Sequence, residues 1–284
     1  MNNLIWLILD SCRWDNYQAA KTPNIDKYVG KAEQRWTYDG WTYPAHLNFL
    51  AGLVPHKNTP YQFASRQYKE EMAKWSERLD CSELEASSFL PKFSLLPVLK
   101  ELGYFTKGVV SLPCLNHKTL VANDFDEWEM MNKYDMIMDI VEMIKFDISY
   151  FKQGMYRFSP WDSRSSSHLF FLFINIGNTH YPYGLADLPY ISGLHGTLEG
   201  KKQGLKEWFS KRDFDRMYLA QLRQIEAVDK ALGPVFEACS ENTYFIVCAD
   251  HGELFGESDY FGHGPIFHEA LFKVPFVEGR IKKC

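Results

Sequence analysis

Residues 169–176, Leu-Phe-Phe-Leu-Phe-Ile-Asn-Ile, restrict the fold of this 284-residue chain more than any other stretch. A strand with one face in water alternates apolar and polar side chains. A short run that is apolar on both faces belongs in the middle of a sheet covered on both sides, the usual setting of parallel strands. Leu4 to Leu9 and Tyr244 to Ala249 have the same character, and Phe105 to Val110 reads as a further strand. Helical patterns lie between them. Thr22 is placed as an N-cap with Pro23 in the first turn, and Pro44 to Leu50 starts a second helix in the same way. Leu95 to Leu102 is a short amphipathic helix stopped by Gly103, and Met136 to Phe151 has helical periodicity. Arg212 to Cys239 is a long helical pattern with a break predicted at Gly233-Pro234. Phe272 to Val277 is the last strand, and Pro275 predicts an edge or terminal position for it. Strand and helix in alternation give an α/β fold with a mostly parallel sheet, and no repeat or linker divides the single domain read over residues 1–284.

Composition excludes several classes. With 46% hydrophobic and 16% aromatic residues the chain can bury a core, so disorder is ruled out. A net charge of −5 gives no global drive toward nucleic acid or an acidic membrane surface. No run reaches the roughly 18 apolar residues of a membrane span. The N-terminal run ends on Asp10, lacks a cationic flank and reads as a strand rather than an export signal. Six cysteines without a C-x-x-C pair then predict free thiols and a cytoplasmic protein.

In a parallel sheet, sites form where strands end at their carboxyl side. Asp10 follows the first run; Asn175, Asn178 and His180 lie at or after the LFFLFINI run; Asp250, His251, Gly252 and Glu253 follow the YFIVCA run, with Gly262-His263-Gly264 a short loop later. Two aspartates and a histidine suit a divalent cation, which also relieves the repulsion between the carboxylates. Glycines beside imidazoles let the backbone approach a ligand closely. Thr42 lies at the mouth of the Pro44 helix, where N–H groups and the helix dipole favour an anion, and a hydroxyl facing a metal there is a nucleophile. Plainer readings accompany each residue. An Asp after a strand also caps helices, Thr42 also caps its own, and an isolated His such as His46, His117, His168 or His195 also packs.

Together these residues resemble the alkaline phosphatase/sulfatase superfamily, in its sulfatase-like branch. LIWLILDSCRWDNY is similar to the first strand with its D-S/T-x-R-x-D motif, and TPNIDKY to the T-P-N-L-D helix. TYPAHLNFLAGLVPHK is similar to the nucleophile motif C/S/T-x-P-S-R/H with L-x-T-G-L-x-P-H after it. FFLFINIGNTHYPY resembles the strand leading to H-x-P-Y; ADHGELFGE, GHG and HEALFKVPF resemble D-H-G-E, G-H-G and E-x-x-x-x-V-P. The matches run in order from residue 4 to residue 277.

The resemblance implies a three-layer sandwich with an alkaline phosphatase-like core and no separate C-terminal domain. It implies Asp10, Asp250 and His251 as metal ligands, and Thr42 as the nucleophile on the same ion. His180 and His263 would contact the anionic ester or protonate its leaving group. His46, which stands where sulfatases carry an Arg, and Asn178 would join substrate binding. One divalent ion is expected, Mn²⁺, Zn²⁺, Ca²⁺ or Mg²⁺; amides at Asn175 and Asn178 replace the carboxylate of two-metal members, although a second ion stays open. Sulfatases use a Cys converted to formylglycine, which Thr42 cannot become. The expected activity is therefore hydrolysis or transfer of small anionic phosphate mono- or diesters through phospho-threonine, with no nucleic-acid or membrane partner. Two alternatives are a sulfate- or sulfonate-ester hydrolase working without formylglycine and a non-catalytic binding protein of the same fold. The aromatic residues Tyr181, Tyr183 and Trp161 line a cleft or pack.

Overall fold

A computed structural model describes residues 1–58, 61–89, 94–131, 136–152, 169–185, 209–264 and 266–283. The apolar N-terminal run is strand β1, Asn3–Leu9, buried along its length. Its side chains part by the two-residue period of a strand. Ile5, Leu7 and Leu9 enter one apolar cluster, and Leu4, Trp6 and Ile8 enter the other. The first cluster is closed by α1 (Trp14–Ala19), α2 (Pro23–Tyr28), α7 (Ile137–Lys152) and α8 (Lys211–Ala238). The second is closed by α3 (Thr42–Leu50), α5 (Trp75–Leu79), which follows α4 (Ala64–Ala73), and α6 (Leu95–Glu101). Helices therefore cover both faces of one sheet, the arrangement its double-faced apolar strands demand.

The sheet has seven strands in the order β2-β9-β6-β1-β5-β3-β4. These are β2 (Glu33–Trp36), β3 (Tyr104–Val110), β4 (Glu127–Met130), β5 (Leu169–Ile176), β6 (Thr243–Cys248) and β9 (Lys273–Arg280) around β1. A two-stranded ribbon, β7 (Leu254–Phe255) with β8 (Phe261–Gly262), follows β6, and α9 (Glu269–Phe272) precedes β9. The five strands from β6 to β4 are parallel. Both edge strands have only four residues and carry charge (Glu-Gln-Arg-Trp and Glu-Trp-Glu-Met), which discourages pairing with another sheet.

Three local expectations are corrected. β9 is not an edge strand: it runs antiparallel between β6 and β2. Pro275 is tolerated because it lies one residue beyond the last β6 pair, Cys248↔Phe276, and its carbonyl still accepts from the Ala249 N–H at 3.2 Å. α8 does not break at Gly233-Pro234 but continues to Ala238. A Cβ on Gly233 would lie 3.2 Å from Asn24 Oδ1 of α2, a tight contact that the glycine relieves. Thr22 occupies the N-cap position of α2 without making a capping bond. Asp229 of α8 does that instead, accepting from the Ile25 N–H at 2.8 Å and the Asn24 N–H at 3.2 Å.

The register sets the site. β1 pairs Ile8 with Asn175 of β5 and with Cys248 of β6, so Asp10 and Asp250 lie level, two residues further along neighbouring strands. Five described cysteines, Cys12, Cys81, Cys114, Cys239 and Cys248, are free thiols. No helix of the described residues is long and apolar enough to cross a membrane.

Candidate active site

At the carboxyl rim, Asp10, Asp250 and His251 each turn one ligating atom into a common space, all within 4.8 Å of one another. The backbone is bent to arrange them. Ser11 has a positive φ of 58°, a left-handed conformation that costs a non-glycine residue about 1 kcal/mol or more. That turn lets the Ser11 N–H donate to Asp250 Oδ1 at 3.1 Å and its hydroxyl donate to Asp10 Oδ1 at 3.0 Å. Asn175 Nδ2 donates to the other oxygen of Asp10 at 2.7 Å. Asp250 Oδ1 accepts a second bond from the His251 N–H, while Asp250 Oδ2 is buried with no hydrogen-bond partner. His251 Nδ1 donates to the Gly252 carbonyl at 2.7 Å, which leaves Nε2 as the ring's lone pair. Gly252 has to be glycine, since a Cβ would fall 1.8 Å from the Ala270 carbonyl oxygen.

The electrostatics point the same way. Both carboxyls have 0% exposure. Burial pushes Asp250 up to about 7, and burial followed by the neighbouring Asp250 charge raises Asp10 well above the usual carboxylate range. Two carboxylates facing each other without water are costly unless a cation joins them. An orphaned Oδ2, a second carboxylate and an imidazole lone pair form an O/O/N donor set that fits a divalent metal.

Thr42 is the first residue of α3, behind Trp41 at the uncapped N-cap position. Its hydroxyl turns toward the metal-type cluster, 3.1 Å from His251 Nε2. His46 is fully buried behind it: Nδ1 donates to the Thr42 carbonyl at 2.8 Å and Nε2 lies 3.3 Å from Asn175 Nδ2. Burial pushes this imidazole down to about 3, so it is neutral. Its place is structural, tying the first turn of α3 to β5, and it presents no surface to a substrate. Asn178 is likewise engaged inside, accepting from the Met136 N–H and donating to Gln224 of α8.

His180 and His263 form an outer wall. His180 Nδ1 donates to the Tyr181 carbonyl at 2.8 Å, and His263 Nδ1 donates to Glu253 Oε1 at 2.9 Å. The His263 ring stands 4.3 Å from that of His251 and 5.4 Å from that of His180, centroid to centroid. The rings of Tyr181 and Tyr183 are buried in a small cluster with Phe209, Phe255 and Phe261, where they pack rather than line a cleft. Trp161 lies outside the described residues.

Sequence reasoning gave no role to four supporting groups. Ser11 and Glu253 adjoin the motif aspartate and histidine, and that adjacency was the available signal. Asn175 registered only as an amide where a carboxylate was sought. Gln221 of α8 donates to the Ser11 carbonyl at 2.8 Å and the Thr179 carbonyl at 2.9 Å, clamping the loops after β1 and β5. A lone glutamine in an amphipathic helix carries no mark of that role.

A family model described as Sulfatase matches residues 2–278. No curated protein matches the sequence. Among solved structures, the C-terminal periplasmic domain of EcEptC from Escherichia coli, in complex with Zn, aligns with a TM-score of 0.58 at 13% identity, covering 99% of this chain and 73% of that one. The C-terminal periplasmic domain of the phosphoethanolamine transferase EptC from Campylobacter jejuni aligns at 0.54 and 14% identity, covering 97% and 78%. BT1596, a 2-O GAG sulfatase, aligns at 0.59 and 14%, covering 98% of this chain and 64% of its own. At these identities the likeness is one of fold, an α/β sandwich with a mostly parallel sheet.

Proposed function

This chain belongs to the sulfatase family, and on that premise we propose that it is a metal-dependent enzyme that hydrolyses or transfers phosphate esters through Thr42. The observation that carries the reading is the Thr42 hydroxyl 3.1 Å from His251 Nε2, beside a buried Asp250 oxygen that has no partner. Asp10, Asp250 and His251 would hold one divalent ion with Thr42 facing it. Such an ion, when bound, makes a hydroxyl more acidic and neutralises an anionic ester oxygen.

The chain's own groups do the rest. Thr42 Oγ, its proton released to solvent beforehand, attacks phosphorus as the ester bond on the opposite side breaks. N–H groups in the first turn of α3, which have no side-chain cap, receive the equatorial oxygens. His263 or His180 supplies a proton to the departing oxygen. Water or an acceptor hydroxyl then attacks the phospho-threonine and restores Thr42. His46, bonded to the Thr42 carbonyl, keeps the nucleophile in place throughout.

Phosphate is favoured over sulfate by the residue itself. The β-carbon of threonine carries a methyl group, so it cannot be oxidised to the aldehyde that formylglycine chemistry requires. Two of the fold relatives are EptC domains, one of them a named phosphoethanolamine transferase, and one was solved with Zn, which supports phosphoryl-type chemistry on a divalent ion. The test is the metal-loaded protein against an aryl phosphate and the aryl sulfate of the same phenol, with mass spectrometry for a phosphoryl adduct on Thr42. Faster turnover of the sulfate would replace this reading with the sulfatase alternative. No turnover of either, with metal bound, would favour a binding protein.

A further inference from the structure

We infer that Glu253 is a positioning residue, whose carboxylate fixes the tautomer and orientation of His263 so that this imidazole protonates the leaving group. The inference rests on the proposed phosphoryl transfer at Thr42 and assigns its acid. Glu253 is completely buried, yet both of its carboxylate oxygens point at the outer wall. Oε1 accepts from His263 Nδ1 at 2.9 Å and Oε2 accepts from the Tyr183 hydroxyl at 2.9 Å. Its backbone carbonyl accepts from Arg13 Nη1 at 3.1 Å, and Arg13 is itself gripped by Asp15 and Glu257. The carboxylate is therefore held by Tyr183 and by the imidazole, and the Glu253 backbone by the loop after β1.

A carboxylate can only accept, so it selects the His263 tautomer with the proton on Nδ1 and leaves Nε2 to exchange protons. His180 differs: its Nδ1 donates to the neighbouring Tyr181 carbonyl, a neutral acceptor on a local loop. Behind the His263 ring stands the buried Glu253 carboxylate, which holds its Nδ1 in a charge-assisted hydrogen bond. That ring also lies 4.3 Å from His251, and His251 Nε2 adjoins Thr42 Oγ. In the first step the Nε2 proton passes to the bridging oxygen as the phosphorus–oxygen bond breaks; the alcohol departs neutral, and the ring keeps its Nδ1 proton. In the second step Nε2 takes a proton from the water or hydroxyl that attacks phospho-threonine, which closes the cycle.

Two measurements test this on the full chain. The first is ¹⁵N NMR of the histidine rings: the neutral His263 ring is expected to carry its proton on Nδ1, to keep it there in Glu253→Gln, whose amide oxygen still accepts, and to lose that preference in Glu253→Ala. A wild-type proton on Nε2 overturns the inference before any variant is made. The second is leaving-group dependence with metal content monitored. Glu253→Ala should lose about 10²-fold in kcat/KM on an alkyl phosphate and under about threefold on a nitrophenyl phosphate, whose phenolate departs without protonation. Glu253→Gln should fall between wild type and Ala on the alkyl ester. An equal loss on both esters, or a fall in bound metal, assigns Glu253 to plain structural support and overturns the inference. Full activity of Thr42→Ala would instead remove the covalent route, and the tautomer measurement would still judge Glu253.

Discussion

The inner and outer halves of the site are built on opposite plans. The inner half, Asp10, Asp250, His251 and Thr42, follows directly from strand ends and a helix start, has no water contact at either carboxyl, and leaves Asp250 Oδ2 without a partner. The outer half, His180, His263, Glu253 and Tyr183, sits on loops, and both oxygens of its buried carboxylate are bonded. The inner half leaves a carboxylate oxygen for a cation to satisfy, whereas the outer half satisfies its carboxylate with its own donors. A buried group left unsatisfied costs about 1–3 kcal/mol or more, so the inner half has a standing deficit that a cation removes. Removing Asp10, Asp250 or His251 should therefore affect metal and chemistry together, and removing Thr42 chemistry alone, whereas removing an outer residue should affect chemistry or local stability without moving the metal.

The largest effect is expected at Thr42. Thr42→Ala should reduce turnover by at least about 10³-fold through loss of the nucleophile, with metal content and melting temperature little changed. Wild-type rates in this variant would remove Thr42 from the inner half. Next comes Asp250→Asn, whose two consequences have opposite signs. Bound metal, read by elemental analysis after dialysis, should fall by about 10²-fold in affinity or more, since a ligand charge is lost. The metal-free protein should become more stable by about 1–3 kcal/mol at neutral pH, because the amide removes a buried unpaired charge and can donate to His251 Nε2, 3.4 Å from the oxygen it replaces. A metal-free variant less stable than wild type would show that the carboxylate pair is not a deficit.

The same division explains what could be read from the sequence. Strand-borne residues were legible because an apolar run fixes the strand and the strand fixes its carboxyl end; that rule picks out Asp10, Asp250 and His251 as candidates, and the motif resemblance gives them their expected role. Thr42 was legible because Pro44 marks a helix start. What escaped depends on contacts between distant segments. His46 has the spacing of a pocket residue, but the i,i+4 geometry of α3 turns its Nδ1 onto the Thr42 carbonyl. Asn178 follows the right strand, yet the residue before α7 and the middle of α8 take up its amide. The break read into α8 failed because Gly233 answers to Asn24, 209 residues earlier in the chain (233 less 24). Local pattern cannot show a partner that is brought close only by folding.

A pH series separates the halves more gently. With Asp250 raised to about 7 in the fold and near 3.9 when unfolded, the folded state binds the extra proton between those values. Stability of the metal-free protein from this group is therefore full below about 4 and is lost as pH rises toward 7. Thermal melts in chelator should show that decline, and adding metal should restore most at the upper end, where the carboxylates are ionised. Asp250→Asn should flatten the metal-free slope. An unchanged slope in the variant would place the titration elsewhere.

The smallest effect is expected in the outer half, at Tyr183→Phe. The substitution removes one hydroxyl bond to Glu253 Oε2 and leaves the ring packed against Phe255, at 5.6 Å between centroids. A hydrogen bond to a charged group contributes about 1.5–3 kcal/mol, and Glu253 keeps its bond to His263, so the loss in denaturant unfolding should sit at the lower end of that range. Metal affinity should not move, because the Tyr183 hydroxyl bonds to Glu253 and not to Asp10, Asp250 or His251, the proposed ligands. The two halves meet where the His251 and His263 rings lie 4.3 Å apart, tilted by 45°. If Tyr183→Phe lowered metal affinity as much as an inner substitution does, the division would fail, and that ring contact would be the place through which the outer carboxylate supports the inner cluster.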